Sequence, residues 1–363
     1  MLNAAPSPSL PPDPADYNYD LPETFIAQTA VEPRDSSRLL VMDRVAGNPD
    51  RLQHRHFFDL PEYLSAGDVL VVNRTRVIPA RLHGVKHPTG GAVEVLLLER
   101  IDDWRWLCWI GGKRARVGTE LRLRRHDPAL PAVAATVIEV RDGADRVVEF
   151  AEPIEPLLAA LGEMPLPPYI HTPLSDPERY QTVYARDTGS VAAPTAGLHF
   201  TPALMAAIQD KGVTIVYCTL HVGPGTFQPV SAAQLADHHL HSEYAELNAE
   251  AAQQINAARS HGGRVWAVGT TSVRTLETAA RAARAAGLPS AVMPIAERTM
   301  LFLAPGDPFY VVDGIITNFH LPRSTLLMLV SAFAGRERVM AAYESAKREG
   351  YRFYSLGDAM LIR

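Results

Sequence analysis

DTGSVAAPTAGLHFTPALMAAIQDKGVTIVYCTLHVGPGTFQPV, residues 187–230, is the stretch on which the fold turns. Two turns rich in Gly, Pro and His, Pro194 to Phe200 and His221 to Phe227, flank a helix and a strand. Thr201-Pro202 reads as the helix start, with Thr201 as N-cap and Pro202 at the first helical position. Val213 to Leu220 is apolar and β-branched, the pattern of a buried strand. A helix and a strand therefore deliver His199 and His221, with Gly197, Gly223 and Thr226, at their ends. In α/β proteins ligands sit at such strand ends, although Gly and Pro also mark turns that touch nothing.

Working outward, the same pattern of apolar strand and polar end recurs. Val69 to Asn73 runs into Asn73, Thr75 and Arg76. Arg264 to Val268 runs into Gly269, Thr270, Thr271, Ser272 and Arg274, and Tyr310 to Ile316 into Asn318, His320 and Arg323. Segments this alike and this scattered predict one cleft at the C-terminal edges of the strands. Backbone amides of a helix starting at Gly269 suit a carboxylate or phosphate. The hydroxyls there equally suit a cap, and neither a Walker loop nor GxGxxG is present. The helix from Thr325 to Phe333 is apolar nearly all round and belongs in the core.

Residues 81–152 read differently. Leu82 to Val85, Ala92 to Leu98, Trp104 to Ile110, Thr119 to Leu123, Ala134 to Val140 and Arg146 to Phe150 are strand candidates, punctuated by glycine turns. With α/β patterning on both sides, the fold class is α/β: a larger mixed α/β domain, residues 15–80 and 153–363, with an inserted small β-barrel-like domain. Residues 1–14 are Pro-rich and read as a tail. Trp104 and Trp106, at alternating positions, and Trp109 beyond them suit core packing or the stacking of RNA bases, and Lys113, Arg114 and Arg116 just beyond suit RNA phosphates. Arg34 and Arg38, in a polar loop, suit an anion or surface salt links.

The chain of 363 residues is 47% apolar with a net charge of −5, which argues against a globally basic nucleic-acid coat but not against a local patch. Cys108 and Cys218 have no metal or redox spacing and read as buried thiols of a reducing, cytoplasmic setting. Leu326 to Ala334, the longest apolar stretch, is too short for a membrane span. His238, His239, His241 and Glu243 resemble a metal cluster. Neighbours His238 and His239 cannot share a helix face and nothing makes three ligands converge, so no metal is assigned. No coiled coil is marked, so a monomer with no obligate protein partner is the expectation.

SVAAPTAGLHFT (190–201), LHVGPGTFQPV (220–230), HHLHSE (238–243), VGTTSVRTLE (268–277) and ITNFHLPRSTLLMLVSAFAG (316–335) together resemble the S-adenosylmethionine:tRNA ribosyltransferase-isomerase family of queuosine biosynthesis. The resemblance runs from about Asp16 to Arg363. It implies transfer and isomerisation of the ribosyl unit of S-adenosylmethionine onto 7-aminomethyl-7-deazaguanine in a tRNA anticodon. Epoxyqueuosine would form, with release of adenine and methionine. S-adenosylmethionine would be consumed as substrate, with no bound prosthetic group. Such chemistry needs a base for the ribose C5′ proton, and histidine suits. His199 or His221 is the expected base, and His320 protonates adenine or orients the ribose hydroxyls. Gly269 to Ser272 would hold the methionine carboxylate, and Glu243 or Asp313 its ammonium. His241 is a further substrate contact, and Arg274 and Arg323 neutralise a carboxylate or RNA phosphate.

Overall fold

The computed structural model describes residues 13–44, 52–111, 115–141, 143–223 and 242–363. Outside the described residues lie the N-terminal stretch to residue 12, Lys113, Arg114, Thr226 and the histidines at 238, 239 and 241. The chain forms two compact units. One comprises residues 1–74, 169–185 and 194–363, the other residues 75–168 and 186–193.

The larger unit is built on a nine-stranded sheet. At its centre Thr214–Leu220, Val69–Asn73, Val265–Val268 and Gly314–Asn318 lie side by side and parallel. Val69–Asn73, Val265–Val268 and Gly314–Asn318 are buried at every position, as expected of parallel strands covered on both faces. Glu243–Leu247 and Ile295–Thr299 extend one side antiparallel. On the other side come Ala359–Ile362, Arg38–Met42 and the edge strand Gln53–His56. Helix Pro202–Asp210 covers one face, with Leu204 and Ile208 in a core shared with Leu70, Val72, Trp266 and Ile316. Helix Gly269–Ala285 packs on the strands from the other. Thr201 caps as expected: its hydroxyl accepts the Leu204 N–H at 3.1 Å.

One element differs from the sequence reading. Tyr310 to Val312 is not strand, because the buried Glu277 carboxylate accepts the amides of all three residues at 3.0–3.2 Å; the strand begins at Gly314. Asp176 caps a single turn, Pro177–Tyr180, which stops where Gln181 turns extended. The last strand, Ala359–Ile362, is internal to the sheet.

The smaller unit is a closed six-stranded antiparallel barrel of Arg81–His87, Ala92–Arg100, Arg105–Gly111, Glu120–Leu123, Val133–Val140 and Asp145–Phe150. Arg81–His87 pairs with Glu120–Leu123 to shut it, and at that seam a Cβ on Gly84 would stand 2.4 Å from the Arg122 carbonyl oxygen. Alternation puts Leu82, Val95, Leu97, Trp106, Cys108 and Val137 inside. Both cysteines are free and buried. The expected larger α/β body with a small inserted β-barrel is the fold observed. No helix among the described residues is long and apolar enough to cross a membrane.

Candidate active site

The four parallel strands end together. Register aligns Cys218 with Asn73, Val72 with Val268, and Val268 with Ile316, so His221, Gly269 and Asn318 follow strand ends on one edge. The turn Thr195–His199 packs against that edge, with Ala196 3.6 Å from the Cβ position of Gly269.

Two polar groups occupy the edge. In the first, His199 is buried and stacked on Phe57 at 4.9 Å. Its Nδ1 lies 2.7 Å from the Ser37 hydroxyl and its Nε2 3.1 Å from the Asn318 amide nitrogen. That amide also donates to the Tyr354 carbonyl at 3.2 Å, which fixes its orientation. Nε2 of His199 is therefore the acceptor, and Nδ1 carries the proton and donates to Ser37. The Thr195 hydroxyl donates to the Asn318 oxygen at 3.0 Å. Burial, helped by Arg179, Arg352 and Arg34, pushes the His199 pKa down to about 3. His320 is likewise pushed down to about 3 by burial, with Nε2 2.8 Å from the Thr317 hydroxyl. Both imidazoles are neutral hydrogen-bonding groups near pH 7.

In the second group, the His221 ring stacks on Tyr244 at 5.9 Å and its backbone N–H donates to the Tyr244 carbonyl at 3.0 Å. The Gly223 N–H donates to Glu243 Oε1 at 2.9 Å, and Glu243 Oε2 is ion-paired with Arg274. Arg274 Nε donates to the Leu301 carbonyl at 3.0 Å, and burial lowers its pKa to about 10. Arg274 and Glu243, given separate substrate roles by sequence reasoning, thus answer each other. Asp313, the alternative partner for an ammonium, sits at the opposite edge of the sheet, bound to Arg259 at 2.7 Å and to the Val265 N–H at 2.8 Å.

Between the groups, Gly269 takes φ +82° and opens the helix Gly269–Ala285. Val268 at the cap position makes no side-chain hydrogen bond to the first turn, the arrangement in which helix N-terminal amides suit an anion. Ser272 turns inward onto the Val268 carbonyl at 2.7 Å. Thr270 is buried, and the buried Thr271 hydroxyl has no hydrogen-bond partner among the described residues.

Other expected residues are placed elsewhere. Asn73 exchanges both amide hydrogen bonds with the Leu220 backbone, at 3.0 and 3.2 Å, and extends the ladder. Gly197 answers a close approach by Tyr184, whose hydroxyl would lie 2.2 Å from its Cβ. Arg323, at φ 57°, donates through Nε to Asn18 at 3.0 Å. Thr75 and Arg76 belong to the smaller unit, on a strand paired with Asp187–Ser190. There Arg116 is exposed, Trp106 is core and Trp104 is exposed. Thr226, His241, Lys113 and Arg114 lie outside the described residues. Sequence reasoning missed Ser37, Thr195 and Tyr354 around His199; Ser37 shows only as one hydroxyl in a polar loop.

Comparison with known proteins adds a consistent set of likenesses. The chain matches the family model described as queuosine biosynthesis protein over residues 14–362. It is 53% identical over 351 residues to the S-adenosylmethionine:tRNA ribosyltransferase-isomerase of Moorella thermoacetica, covering 96% of this chain and 98% of that one. The counterpart from Synechococcus elongatus is 51% identical over 364 residues, covering 97% of each. A crystal structure of an S-adenosylmethionine tRNA ribosyltransferase from Thermotoga maritima is 36% identical, with a TM-score of 0.53 over 96% of this chain and 100% of that one.

Proposed function

The chain belongs to the queuosine biosynthesis family and is an S-adenosylmethionine:tRNA ribosyltransferase-isomerase, and from that premise we propose what its site does. It transfers and isomerises the ribosyl unit of S-adenosylmethionine onto 7-aminomethyl-7-deazaguanine at the tRNA anticodon wobble position. Epoxyqueuosine-tRNA forms, and adenine and methionine leave. S-adenosylmethionine is consumed, no prosthetic group takes part, and the work is done in the cytoplasm where tRNA is. The reading is carried by one observation: four adjacent parallel strands bring His221, Gly269 and Asn318 to one edge beneath the His199 turn.

The sulfonium of the substrate acidifies the ribose C5′ proton, so the protein supplies a base and positions. His221 is the base. His199 suits that role less, since its Nε2 lone pair is taken by Asn318 and its pKa is held near about 3. His320, neutral beside Thr317, orients ribose hydroxyls. The amides from Gly269 to Ser272 hold the methionine carboxylate. Lys113, Arg114 and Arg116 contact phosphates of the anticodon arm.

The test is adenine release from S-adenosylmethionine with tRNA bearing the 7-deazaguanine base. His221→Ala is expected to slow it by about 10²–10⁴-fold at unchanged melting temperature. His199→Ala is expected to lower the melting temperature. Full turnover by His221→Ala overturns the base assignment, and equal adenine release with the free base in place of tRNA overturns the RNA substrate.

A further inference from the structure

A small pocket opens beside His199, lined by Ala30, Val31, Arg34, Arg179, Ser355 and the imidazole itself. Its volume is about 10 Å³, room for one small polar atom. Arg34 and Arg179 line it, and Arg352, from the segment next to Ser355, acts electrostatically on His199 with them. Arg34 donates to the carbonyls of Gln181 at 2.7 Å and Glu178 at 3.0 Å. Arg179 donates through Nη2 to the Val31 carbonyl at 2.8 Å and pairs through Nε with Glu32. Arg352 donates through Nη1 to the Thr29 carbonyl at 2.9 Å. Asp358 accepts the Arg352 backbone N–H at 2.8 Å and is ion-paired with its Nη2 at 3.9 Å, too long for a hydrogen bond.

Two donors remain over. Arg179 Nη1 and Arg352 Nη2 are buried with no hydrogen-bond acceptor among the described residues. Burying a charged donor without an acceptor is costly, and such groups mark the place of something that completes them. The surroundings decide its sign. The only carboxylate hydrogen-bonded to a side chain of this trio, among the described residues, is the exposed Glu32. Burial and Arg179 act against the charge on Arg34, with Glu32, Asp176 and Glu178 acting for it, and all three cations act against a proton on His199. An anionic oxygen relieves every one of these repulsions, and guanidinium groups are the side chains best shaped to receive it.

We propose that Arg34, Arg179 and Arg352 form an oxyanion subsite beside His199 that receives a terminal oxygen of a carboxylate or phosphate on the substrate. The source of that oxygen, though not the subsite, rests on the function proposed above: it is a backbone phosphate of the RNA or, in place of the Gly269 to Ser272 amides, the amino-acid carboxylate of the sulfonium nucleoside. Arg179→Lys retains the charge opposite Glu32 but lacks Nη1, and Arg352→Lys lacks Nη2.

The first readout needs no turnover. Inorganic phosphate is expected to raise the melting temperature of the wild-type protein and to raise that of the Arg179→Lys/Arg352→Lys variant less; should the double variant fail to fold, Arg179→Lys alone is read the same way. Kinetics then name the source. A rise of about 10–100-fold in KM for S-adenosylmethionine at held kcat, absent with its decarboxylated analogue, identifies the carboxylate. An unchanged KM with weaker tRNA binding, its log–log salt slope shallower by about one, identifies a phosphate. Equal phosphate stabilisation of variant and wild type, with both constants unchanged, overturns the subsite. A wild-type protein that binds phosphate at these arginines yet releases no adenine overturns the proposed function and leaves the subsite standing.

Discussion

In the barrel, the pairs Arg81–Glu94, His87–Glu120 and Arg100–Glu155 keep both partners between 32% and 53% exposed. In the α/β body, the side chains of Glu243, Asp68 and Glu277 are at most 5% exposed, and each meets two or more donors. The first set decorates a surface where water screens charge; the second fixes loops by holding backbone amides where water cannot. Glu277 gathers Tyr310 to Val312, and Asp68 gathers Ser65, Arg264 and Trp266. One unit is sensitive to charge and the other to volume.

The sharpest attempt to break that contrast is Arg274→Met. It removes the ionic partner of the buried Glu243 carboxylate and is expected to cost about 3–5 kcal/mol in urea unfolding. Adding Glu243→Gln is expected to recover part of the loss, and a double variant no more stable than the single one removes the pair from the account.

Next comes acid. The folded pKa values of His199 and His320 lie near about 3, below the ordinary 6.5, so the unfolded chain takes up protons first as pH falls. Their contribution is complete above pH 6.5 and is lost between there and about 3, at up to about 1.4 kcal/mol per unit for each. Unfolding free energies measured from pH 7 to 4 are expected to fall less steeply in His199→Gln. Identical slopes would show that the imidazole is not held neutral.

A smaller effect sharpens the barrel's side. Gly84→Ala forces a methyl against the Arg122 carbonyl and is expected to cost about 1–3 kcal/mol, read as a lowered melting temperature. Smallest of all, Arg100→Ala is expected to change stability by less than about 1 kcal/mol, with little further change in high salt. A larger loss there than in Arg274→Met would invert the comparison.

Much of this was legible in the residues. The central strands announce themselves as apolar runs that stop abruptly at Asn73, His221, Gly269 and Asn318, and the barrel strands as alternation between glycine turns. Tyr310 to Val312 misled because Val311 and Val312 are β-branched, while the carboxylate that keeps them out of the sheet lies more than thirty residues earlier, at Glu277. The surroundings of His199 were illegible for the same reason. Ser37, Asn318 and the three arginines come from segments far apart in the chain, and no local spacing announces that they meet. Glu243 and Arg274 each looked like a ligand contact, because a sequence does not show which charges bind one another.

Ala359–Ile362 lies between Gly314–Asn318 and Arg38–Met42, hydrogen-bonded to both. It is a keystone of four residues. Among the described residues, Arg38–Met42 and Gln53–His56 join the rest of the nine-stranded sheet only through it. Fraying this short segment would release both outer strands at once, and with Arg38–Met42 the neighbouring Ser37 that orients the His199 ring. Trimming or tagging beyond Ile362 is thus expected to act on a buried imidazole more than 150 residues away in the chain, through the order of the strands.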